Sequence, residues 1–365
     1  MKRLLLVALI ILGMLDIVFA AGRGITTREY PWVMRSVAAL GMGDAYYAKS
    51  DSKYAPFYNP AGLARINKGR VDIIPLTVGI NTNIVDFYDE FNKTDTDSDA
   101  EIAKLLAGRV GNLQHAELSF YPGYTRKNFT IGVFGATQVN AAPWNPITPE
   151  LNLDITADAG VVFGMAGGFF DDRLQAGLAA RYQQRYSLQR TYTVQDILSG
   201  EFENIDYDYF SDITKNGWDI FFDLGIIYNI SNDSLLQPRV ALAVNNLGIN
   251  SFGDAKELPW SLNFSVGISP HYGIINTDII LDIRDITRNF NEDDDFVKRI
   301  NLGAEIRFFE RIALRGGAHQ GWLTMGAGLD LWLFRLDYAY YTEEIGAYAG
   351  QKKDTRHALE FVLGF

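Results

Sequence analysis

The chain alternates apolar and polar residues along many short stretches. From Trp260 to Ser269, every second residue from Trp260 to Ile268 is apolar, and the residues between are small or polar. The same period of two recurs from Arg299 to Phe308, where the polar side carries charges. Alternation with period two is the pattern of β-strands that have one apolar face. The sequence therefore predicts strands whose two faces have different surroundings.

Fourteen segments of this kind follow one another from Gly69 onward. The connectors after odd-numbered segments are mostly long and acidic or proline-rich, whereas those after even-numbered segments are mostly tight turns. The short connector at His319 to Gly321 departs from this rule. The predicted segments lie near 69–80, 113–121, 128–139, 155–170, 173–190, 216–229, 238–246, 259–269, 274–284, 297–308, 311–319, 321–330, 331–341 and 355–365.

Alternation by itself fits both a soluble β-sandwich and a transmembrane barrel. Long loops at one end and short turns at the other are typical of the barrel. Charged inward faces, as at Glu305 and Arg307, are also hard to reconcile with a soluble core. The fold class predicted here is all-β: a transmembrane antiparallel β-barrel of about 14 strands, formed by residues 69–365 and preceded by an N-terminal plug segment.

The last segment carries an apolar residue at every second position and ends on an aromatic one. These residues are Leu359, Phe361, Leu363 and Phe365. The pattern resembles the C-terminal signal that barrel proteins present to their assembly machinery. We therefore expect the barrel assembly machinery and outer-membrane lipid as partners.

The first twenty residues have the features of a signal peptide. Lys2 and Arg3 precede an apolar stretch, and Ala20 suits cleavage by signal peptidase. An N-terminal membrane anchor is the alternative, but Asp16 interrupts the apolar run before it reaches the ~20 residues of a spanning helix. We predict a signal peptide over 1–20, export to the periplasm and a final location in the bacterial outer membrane.

Residues 21–68 show no strand pattern and are rich in small and turn residues. They are interpreted as a plug inside the barrel or a periplasmic segment. In the long connector that follows the first strand, apolar residues are spaced three to four apart, which predicts a short external helix. These apolar residues are Ile84, Phe87, Tyr88, Phe91, Ile102, Leu105 and Leu106.

The composition of the chain argues against several classes of function. The chain has no cysteine, which excludes disulfides and thiolate metal sites. Its net charge of -11 leaves no basic stripe for nucleic acid. His115, His271, His319 and His357 lie on different segments without metal-ligand spacing. We expect no enzyme activity, no metal and no cofactor.

Two acidic clusters could suggest calcium. Asp95, Asp97 and Asp99 lack the glycine and glutamate that a calcium loop requires at its sixth and twelfth positions. The cluster at 291–295 could bind a divalent cation weakly. Solvated external loops are the favoured interpretation of both.

If the alternation is correct, nine charged residues point into the lumen from neighbouring C-terminal strands. The lumen is the favourable side for them, because a charge on the lipid face costs about 2–4 kcal/mol. Opposite signs are mixed, which favours a ladder of ion pairs over a polar wall along a permeation route. The residues are Arg299, Glu305, Arg307, Arg311, Arg315, Arg335, Asp337, Arg356 and Glu360.

The segment from Arg35 to Ile66 contains ALGMG followed by NPAGL. It resembles the N-terminal signature of the FadL-like outer-membrane proteins. Stretches within 245–270 and 303–344 resemble strands of the PorV/PorQ, UPF0164 and conjugal-transfer TraF-like branches. Asp44 departs from the usual glycine or alanine. The residues that match the signature are Ala39, Leu40, Gly41, Met42, Gly43, Ala45, Tyr58, Asn59, Pro60, Ala61, Gly62 and Leu63.

The resemblance implies a fourteen-stranded barrel with a plug. In the best-understood branch it implies binding of hydrophobic compounds and their lateral passage toward the membrane. In the PorV branch it implies an accessory of a secretion system that carries protein cargo. For this chain, Asn59 to Leu63 would hold the plug against the barrel wall, or would be only a turn before a short helix that begins at Pro60.

Two functions follow as hypotheses. The first is passage of small hydrophobic molecules, with a hydrophobic ligand. The second is a non-conducting accessory or scaffold of a secretion or conjugation system, with proteins of that system as partners. An apolar lumen pocket with an opening in the wall would favour the first, and a lumen packed solid with ion pairs would favour the second.

Overall fold

The structure is a computed structural model that describes residues 27–95, 98–198, 214–292 and 294–365. The predicted signal peptide over 1–20 and residues 21–26 of the predicted plug segment lie outside this part of the chain. The remaining plug residues, 27–68, are called the plug below.

Sixteen strands occur in the described residues, because the alternating segments bury one face and expose the other. They are β1 (Arg70–Asn81), β2 (Gln114–Phe120), β3 (Gly123–Arg126), β4 (Phe129–Trp144), β5 (Glu150–Phe169), β6 (Leu174–Thr193), β7 (Lys215–Asn229), β8 (Arg239–Gly248), β9 (Ser261–Ile268), β10 (His271–Tyr272), β11 (Ile275–Ile283), β12 (Ile300–Phe308), β13 (Ile312–His319), β14 (Trp322–Leu331), β15 (Phe334–Glu344) and β16 (Lys353–Gly364).

Antiparallel pairing closes these strands into a barrel. Most strands pair with their neighbours in the chain, β16 pairs with β1, and β9 pairs with β11 across the two-residue strand β10. Strands β2 and β3 share one position in the wall, since both lie between β1 and β4. The wall therefore has fourteen positions, and the predicted fold class is confirmed.

The wall strand formed by β2 and β3 breaks at Tyr121 and Pro122. Proline has no backbone N–H and so cannot continue the ladder. The backbone stays bonded around the break, because Tyr121 N–H donates to the Pro75 carbonyl (3.3 Å) and Val133 N–H donates to the Pro122 carbonyl (3.1 Å).

The outer face of the barrel is apolar. In β1, Leu76 and Val78 are 40% and 43% exposed, whereas Thr77 between them is 5% exposed. A soluble sheet would bury the apolar side, whereas a barrel in lipid directs it outward. The exposed outward run of β5, from Ala159 to Phe169, has about the 9–11 residues that a tilted strand needs to cross a bilayer.

Strands β4 to β6 are longer than predicted. The predicted loop over 140–154 is mostly strand, because β4 continues to Trp144 and β5 begins at Glu150. The reason is that the alternation continues through Leu151 and Leu153, outside the membrane. The prediction that a loop covers this stretch was wrong.

Four α-helices occur in the described residues: α1 (Val37–Gly41), α2 (Thr82–Phe91), α3 (Asp99–Gly108) and α4 (Val194–Leu198). Short 3-10 helices cover Ala55–Phe57, Pro60–Arg65 and Phe296–Arg299. Arg299, which the alternation placed in a strand, lies in the last of these. None of the helices in the described part of the chain is long and apolar enough to cross a membrane.

Helices α3 and α4 cover the outside of the extended strands. Ile102 and Leu106 of α3 are buried, and α3 contacts β4 and α4. The outward residues of β5 and β6 at this level form a buried apolar cluster with partly buried neighbours on β4 and β5. The buried members of this cluster are Leu153, Ile155, Leu188 and Tyr192.

Candidate functional site: the plugged lumen

The plug runs through the lumen from the long-loop end to the short-turn end. At the first end, Arg28 N–H donates to the Ile345 carbonyl (3.1 Å). At the other end, Asn128, in the turn between β3 and β4, donates its N–H to the carbonyl of Leu63 (2.9 Å), which lies near the end of the plug. Most residues between them are buried. The plug therefore touches the wall at both mouths of the barrel.

Two glycines bring the plug into direct contact with the wall backbone. A Cβ on Gly41 would lie 2.9 Å from the Gly326 Cα atom. Gly43 has a φ of +69°, and a Cβ there would lie 2.6 Å from the carbonyl oxygens of Ala318 and Leu302. A side chain at Gly43 would thus meet both a strained backbone and two fixed carbonyls.

The Asn59 to Leu63 motif forms a 3-10 turn against the opposite wall. Asn59 caps the turn by accepting from Ala61 N–H (3.1 Å) and also donates to the Ile226 carbonyl (3.3 Å). Pro60 takes the first helical position. A Cβ on Gly177 of β6 would lie 2.3 Å from the Pro60 carbonyl carbon. The motif therefore combines a helical start with wall contact.

The remaining motif residues pack within the plug and against the wall. A Cβ on Gly62 would lie 2.2 Å from the Ser50 carbonyl oxygen, so two plug segments touch through this glycine. Ala61 and Leu63 are fully buried. A Cβ on Gly164 of β5 would lie 3.0 Å from the Leu63 side chain.

Asp44, the departure from the FadL-like signature, has partners in the lumen. Its carboxylate accepts from the Arg284 guanidinium (2.5 Å) and from the Tyr58 hydroxyl (2.6 Å). Its φ of +56° lies in the left-handed region, which aspartate adopts more readily than most residues other than glycine. The carboxylate therefore joins two plug segments to the wall beyond β11.

Six of the nine predicted lumen charges form one continuous set of ion pairs, here called the ladder: Glu305, Arg307, Arg315, Arg335, Asp337 and Glu360. Arg315 donates to Glu305 (2.6 Å) and to Asp337 (2.7 Å). Arg335 approaches Asp337 (3.4 Å) and Glu360 (3.9 Å). The ladder crosses β12, β13, β15 and β16 on the inner face of the wall.

Arg307 joins the ladder at its edge, where it donates to Glu305 (2.8 Å). The other three predicted charges lie apart from the ladder. Arg311 is exposed in the turn between β12 and β13. Arg299 pairs with Asp285 (2.8 Å). Arg356 lies at the long-loop end.

At that end, Arg356 holds the start of the plug. Its guanidinium donates to both carboxylate oxygens of Glu29 (2.7 and 2.8 Å) and to Asp354 (2.7 Å). Burial alone would raise the pKa of Glu29, but the charge of Arg356 and its hydrogen bonds lower that pKa to about 2. A few residues later, Arg35 pairs with Glu343 of β15.

The sequence did not reveal the lysines through which the plug joins the ladder. Lys49 lies 2.6 Å from Asp278 and 3.5 Å from Glu305. Lys53 lies 3.1 Å from Glu360 and 3.5 Å from Asp72. The only signal was the presence of charged residues in a segment otherwise rich in small ones.

An aromatic cluster adjoins the ladder and extends along the part of the wall from β2 to β8. Phe57 of the plug makes edge-to-face contacts with Tyr121 (5.6 Å) and Phe134 (5.5 Å) of the wall. The Arg181 guanidinium lies over the rings of Phe57 (5.1 Å) and Phe221 (4.9 Å). The rings of this aromatic cluster belong to Tyr46, Tyr47, Tyr54, Phe57, Tyr58, Tyr121, Phe134, Phe221 and Phe252.

Two cavities adjoin the plug. One of about 1140 Å³ opens at the short-turn end, beside Gln237, His271 and Trp332, and has the ladder in its wall. The other, of about 40 Å³, adjoins the aromatic cluster and is lined in part by Trp32 and Leu258. The first is charged, whereas the second combines apolar and aromatic side chains with polar and charged ones that include Arg181, Arg284 and Asp44.

The C-terminal strand closes the wall beside β1. The side chains of Leu359, Phe361 and Phe365 are 41–61% exposed on its outer side. Phe365 also exchanges backbone hydrogen bonds with Val71 (2.7 and 3.0 Å). Leu363 is half-buried on the same side.

Comparison with known proteins gives a likeness of fold. No protein-family model matches the chain, and no curated protein matches it. A solved structure of the CymD monoaromatic hydrocarbon channel is 12% identical, with a TM-score of 0.51 over 92% of this chain and 98% of that one. A deltaS2 mutant of the TodX monoaromatic hydrocarbon channel is 9% identical, with a TM-score of 0.50 over 90% and 97%.

The toluene transporter TbuX of Ralstonia pickettii is 12% identical, with a TM-score of 0.49 over 90% of this chain and 97% of that one. At these identities the likeness concerns the fold. Membership of the FadL-like proteins and placement in the PorV/PorQ, UPF0164 or TraF-like branch stay predictions that rest on the sequence signature. The chain thus has the barrel fold found in CymD and TodX.

Proposed function

We propose that this protein is a bacterial outer-membrane barrel for the gated passage of small hydrophobic molecules. The observation that carries the proposal is the aromatic cluster inside the lumen. The interior of a transmembrane barrel is ordinarily polar. A group of nine rings between the plug and the wall instead offers a surface on which an apolar molecule can leave water.

Passage requires the plug to move. The cavity at the aromatic cluster, about 40 Å³, is much smaller than the ~150 Å³ apolar cavity that holds benzene in an engineered protein. A molecule of that size fits only when Phe57 or its neighbours shift. A closed plug also denies water and ions a path, which a channel for apolar molecules needs.

The interrupted wall strand supports a lateral exit. Tyr121, at the break between β2 and β3, packs against Tyr54 and Phe57 of the plug. An apolar molecule on the cluster would thus be next to the wall position that proline interrupts. The charged cavity at the short-turn end is a less favourable route, because its lining is dominated by ion pairs.

A disulfide lock tests the gate. A Cβ on Gly267 of β9 would lie 3.3 Å from the Ala48 Cβ atom of the plug, close to disulfide spacing. The chain has no cysteine, so an A48C/G267C double variant carries one defined crosslink. We expect Gram-negative cells that express the protein to take up radiolabelled toluene faster than the empty host. Oxidation of the double variant should abolish this gain, and reductant should restore it.

A matched crosslink provides the control. A Cβ on Gly321 would lie 3.3 Å from the Ala349 Cβ atom. The double variant G321C/A349C therefore joins two connectors at the long-loop end of the barrel and leaves the plug free. Its oxidation should leave uptake unchanged. Uptake that never exceeds that of the empty host, or that persists with the plug locked, overturns the proposal.

A second function is supported by a specific observation. The plug is bound to the wall by buried ion pairs along its length, at Glu29, Arg35, Asp44, Lys49 and Lys53. Such a filled lumen suits a non-conducting accessory or scaffold of a secretion or conjugation system. Planar-bilayer recordings without current and native mass spectra without a bound apolar ligand, together with absent toluene uptake, would favour this function.

A further inference from the structure

We infer that helix α2 is an interfacial anchor whose exposed apolar side lies in the outer boundary of the lipid bilayer. The helix follows β1 directly, at the long-loop end of the barrel. Asn81 caps it by accepting from Ile84 N–H (3.1 Å). The lipid-facing row of β1, which includes Leu76 and Val78, therefore leads straight into α2.

The residues beside the end of β1 mark the edge of the bilayer. Ile80 pairs with His357 of β16, which in turn pairs with Tyr340 of β15. The Tyr338 hydroxyl lies 2.7 Å from His357 Nδ1. Tyrosines grouped on the outer face are typical of the level at which lipid meets water. Helix α2 thus begins at the interface.

The sequence of α2 is amphipathic. At about 100° per residue, its five apolar side chains occupy an arc of roughly 160°, and its three acidic side chains lie on the opposite side. The apolar residues are Ile84, Val85, Phe87, Tyr88 and Phe91, and the acidic ones are Asp86, Asp89 and Glu90.

One part of the apolar arc faces the barrel. Ile84, Phe87 and Phe91 are half-buried, and α2 contacts β1, β2 and β16. Ala116 of β2 points outward yet is 8% exposed, whereas Leu118, the next outward residue of the same strand and further from α2, is 40% exposed. This difference is explained if α2 lies against the outside of the wall.

The rest of the arc has no protein partner in the described residues that would bury it. Val85 is 50% exposed and Tyr88 is 42% exposed, although both are apolar or aromatic. Their surface is continuous with the lipid-facing wall. The acidic edge points away from it, and Glu90 pairs with Arg109 (2.7 Å) beyond α3. The occupant that fits this surface is the headgroup and upper acyl region of the bilayer.

Single-cysteine labelling tests this placement, because the chain has no cysteine of its own. V85C and Y88C would each carry an environment-sensitive nitrobenzoxadiazole label in the protein folded into phosphatidylcholine vesicles. D89C on the acidic edge of the same helix is the matched control. V78C on the lipid face of β1 checks insertion, and K104C on α3 marks a water-exposed position.

We expect iodide to quench the labels at 85 and 88 at least about threefold less than the label at 89. Lipids that are spin-labelled near the headgroup should quench the labels at 85 and 88 more than the label at 89. Equal iodide quenching at all three positions would overturn the proposal. Protection from iodide without quenching by lipid, together with maleimide crosslinks between copies, would instead identify a protein interface and also overturn it. A normal signal from V78C shows that the barrel has inserted.

Discussion

Replacing Gly43 with alanine should weaken the barrel by loosening the plug. The left-handed φ of +69° costs an alanine about 1–2 kcal/mol. The new Cβ would also lie 2.6 Å from two wall carbonyl oxygens, and overpacking of this kind costs about 1–3 kcal/mol. We therefore expect G43A to lower the free energy of unfolding by about 2–5 kcal/mol.

Gly273 provides the matched control. Its φ of +60° is similar, but a Cβ there would meet no described atom within 4 Å. G273A should thus lose only the backbone part, about 1–2 kcal/mol. The assay is urea unfolding of both variants in lipid vesicles, followed by tryptophan fluorescence. Equal losses for G43A and G273A would refute the idea that the plug presses on the wall at Gly43.

Three further predictions follow from charges and chain ends. Because the pKa of Glu29 is about 2 in the folded protein and about 4.5 in the unfolded chain, its pair with Arg356 stabilises the plug above pH 4.5 and is lost as the pH falls toward 2; protease protection of the plug should fall over that range in the wild type, whereas E29Q, which lacks this pair at every pH, should start with less protection and lose less of it. K53M, which leaves two buried carboxylates without their lysine, should cost about 3 kcal/mol in urea unfolding, whereas K68M at an exposed pair should cost about 0–1 kcal/mol, and equal costs would contradict the burial argument. Replacing Phe365, which is 61% exposed, with alanine keeps its backbone hydrogen bonds with Val71 and should slow assembly by the assembly machinery in reconstituted vesicles while changing the stability of the folded barrel little; unchanged assembly would count against the C-terminal signal.

The plug contacts the ladder and the aromatic cluster through two different kinds of interaction. Lys49 and Lys53 bind it to the ladder by ion pairs, which hold only when both partners are in register. Phe57 and Tyr121 meet through edge-to-face rings, which tolerate small displacements. A shift of the plug should therefore begin on the aromatic side, where the proposed route lies.

The sequence by itself determined the wall. Polar residues such as Asn301 and Glu305 point into the lumen, so the apolar residues that alternate with them, such as Leu302 and Ile306, lie on the outer face. An apolar outer face is stable only when lipid covers it. The fourteen positions and the plug follow from this pattern and from the signature around Gly43. Apolar residues three and four apart also predicted a short external helix after β1, where the structure has two, α2 and α3.

Tertiary structure alone decided how the plug meets the wall. A segment without regular period gives no direction to its side chains, so the partners of Lys49, Lys53 and Asp44 could not be predicted from sequence. The same holds for the outward burial of Leu153, because its cluster draws on β4, β5 and β6, and α3, which contacts β4, comes from a distant loop. The alternation of apolar and polar residues determines which face of a strand each residue occupies. Contacts between distant segments depend instead on how the closed barrel brings those segments together in space.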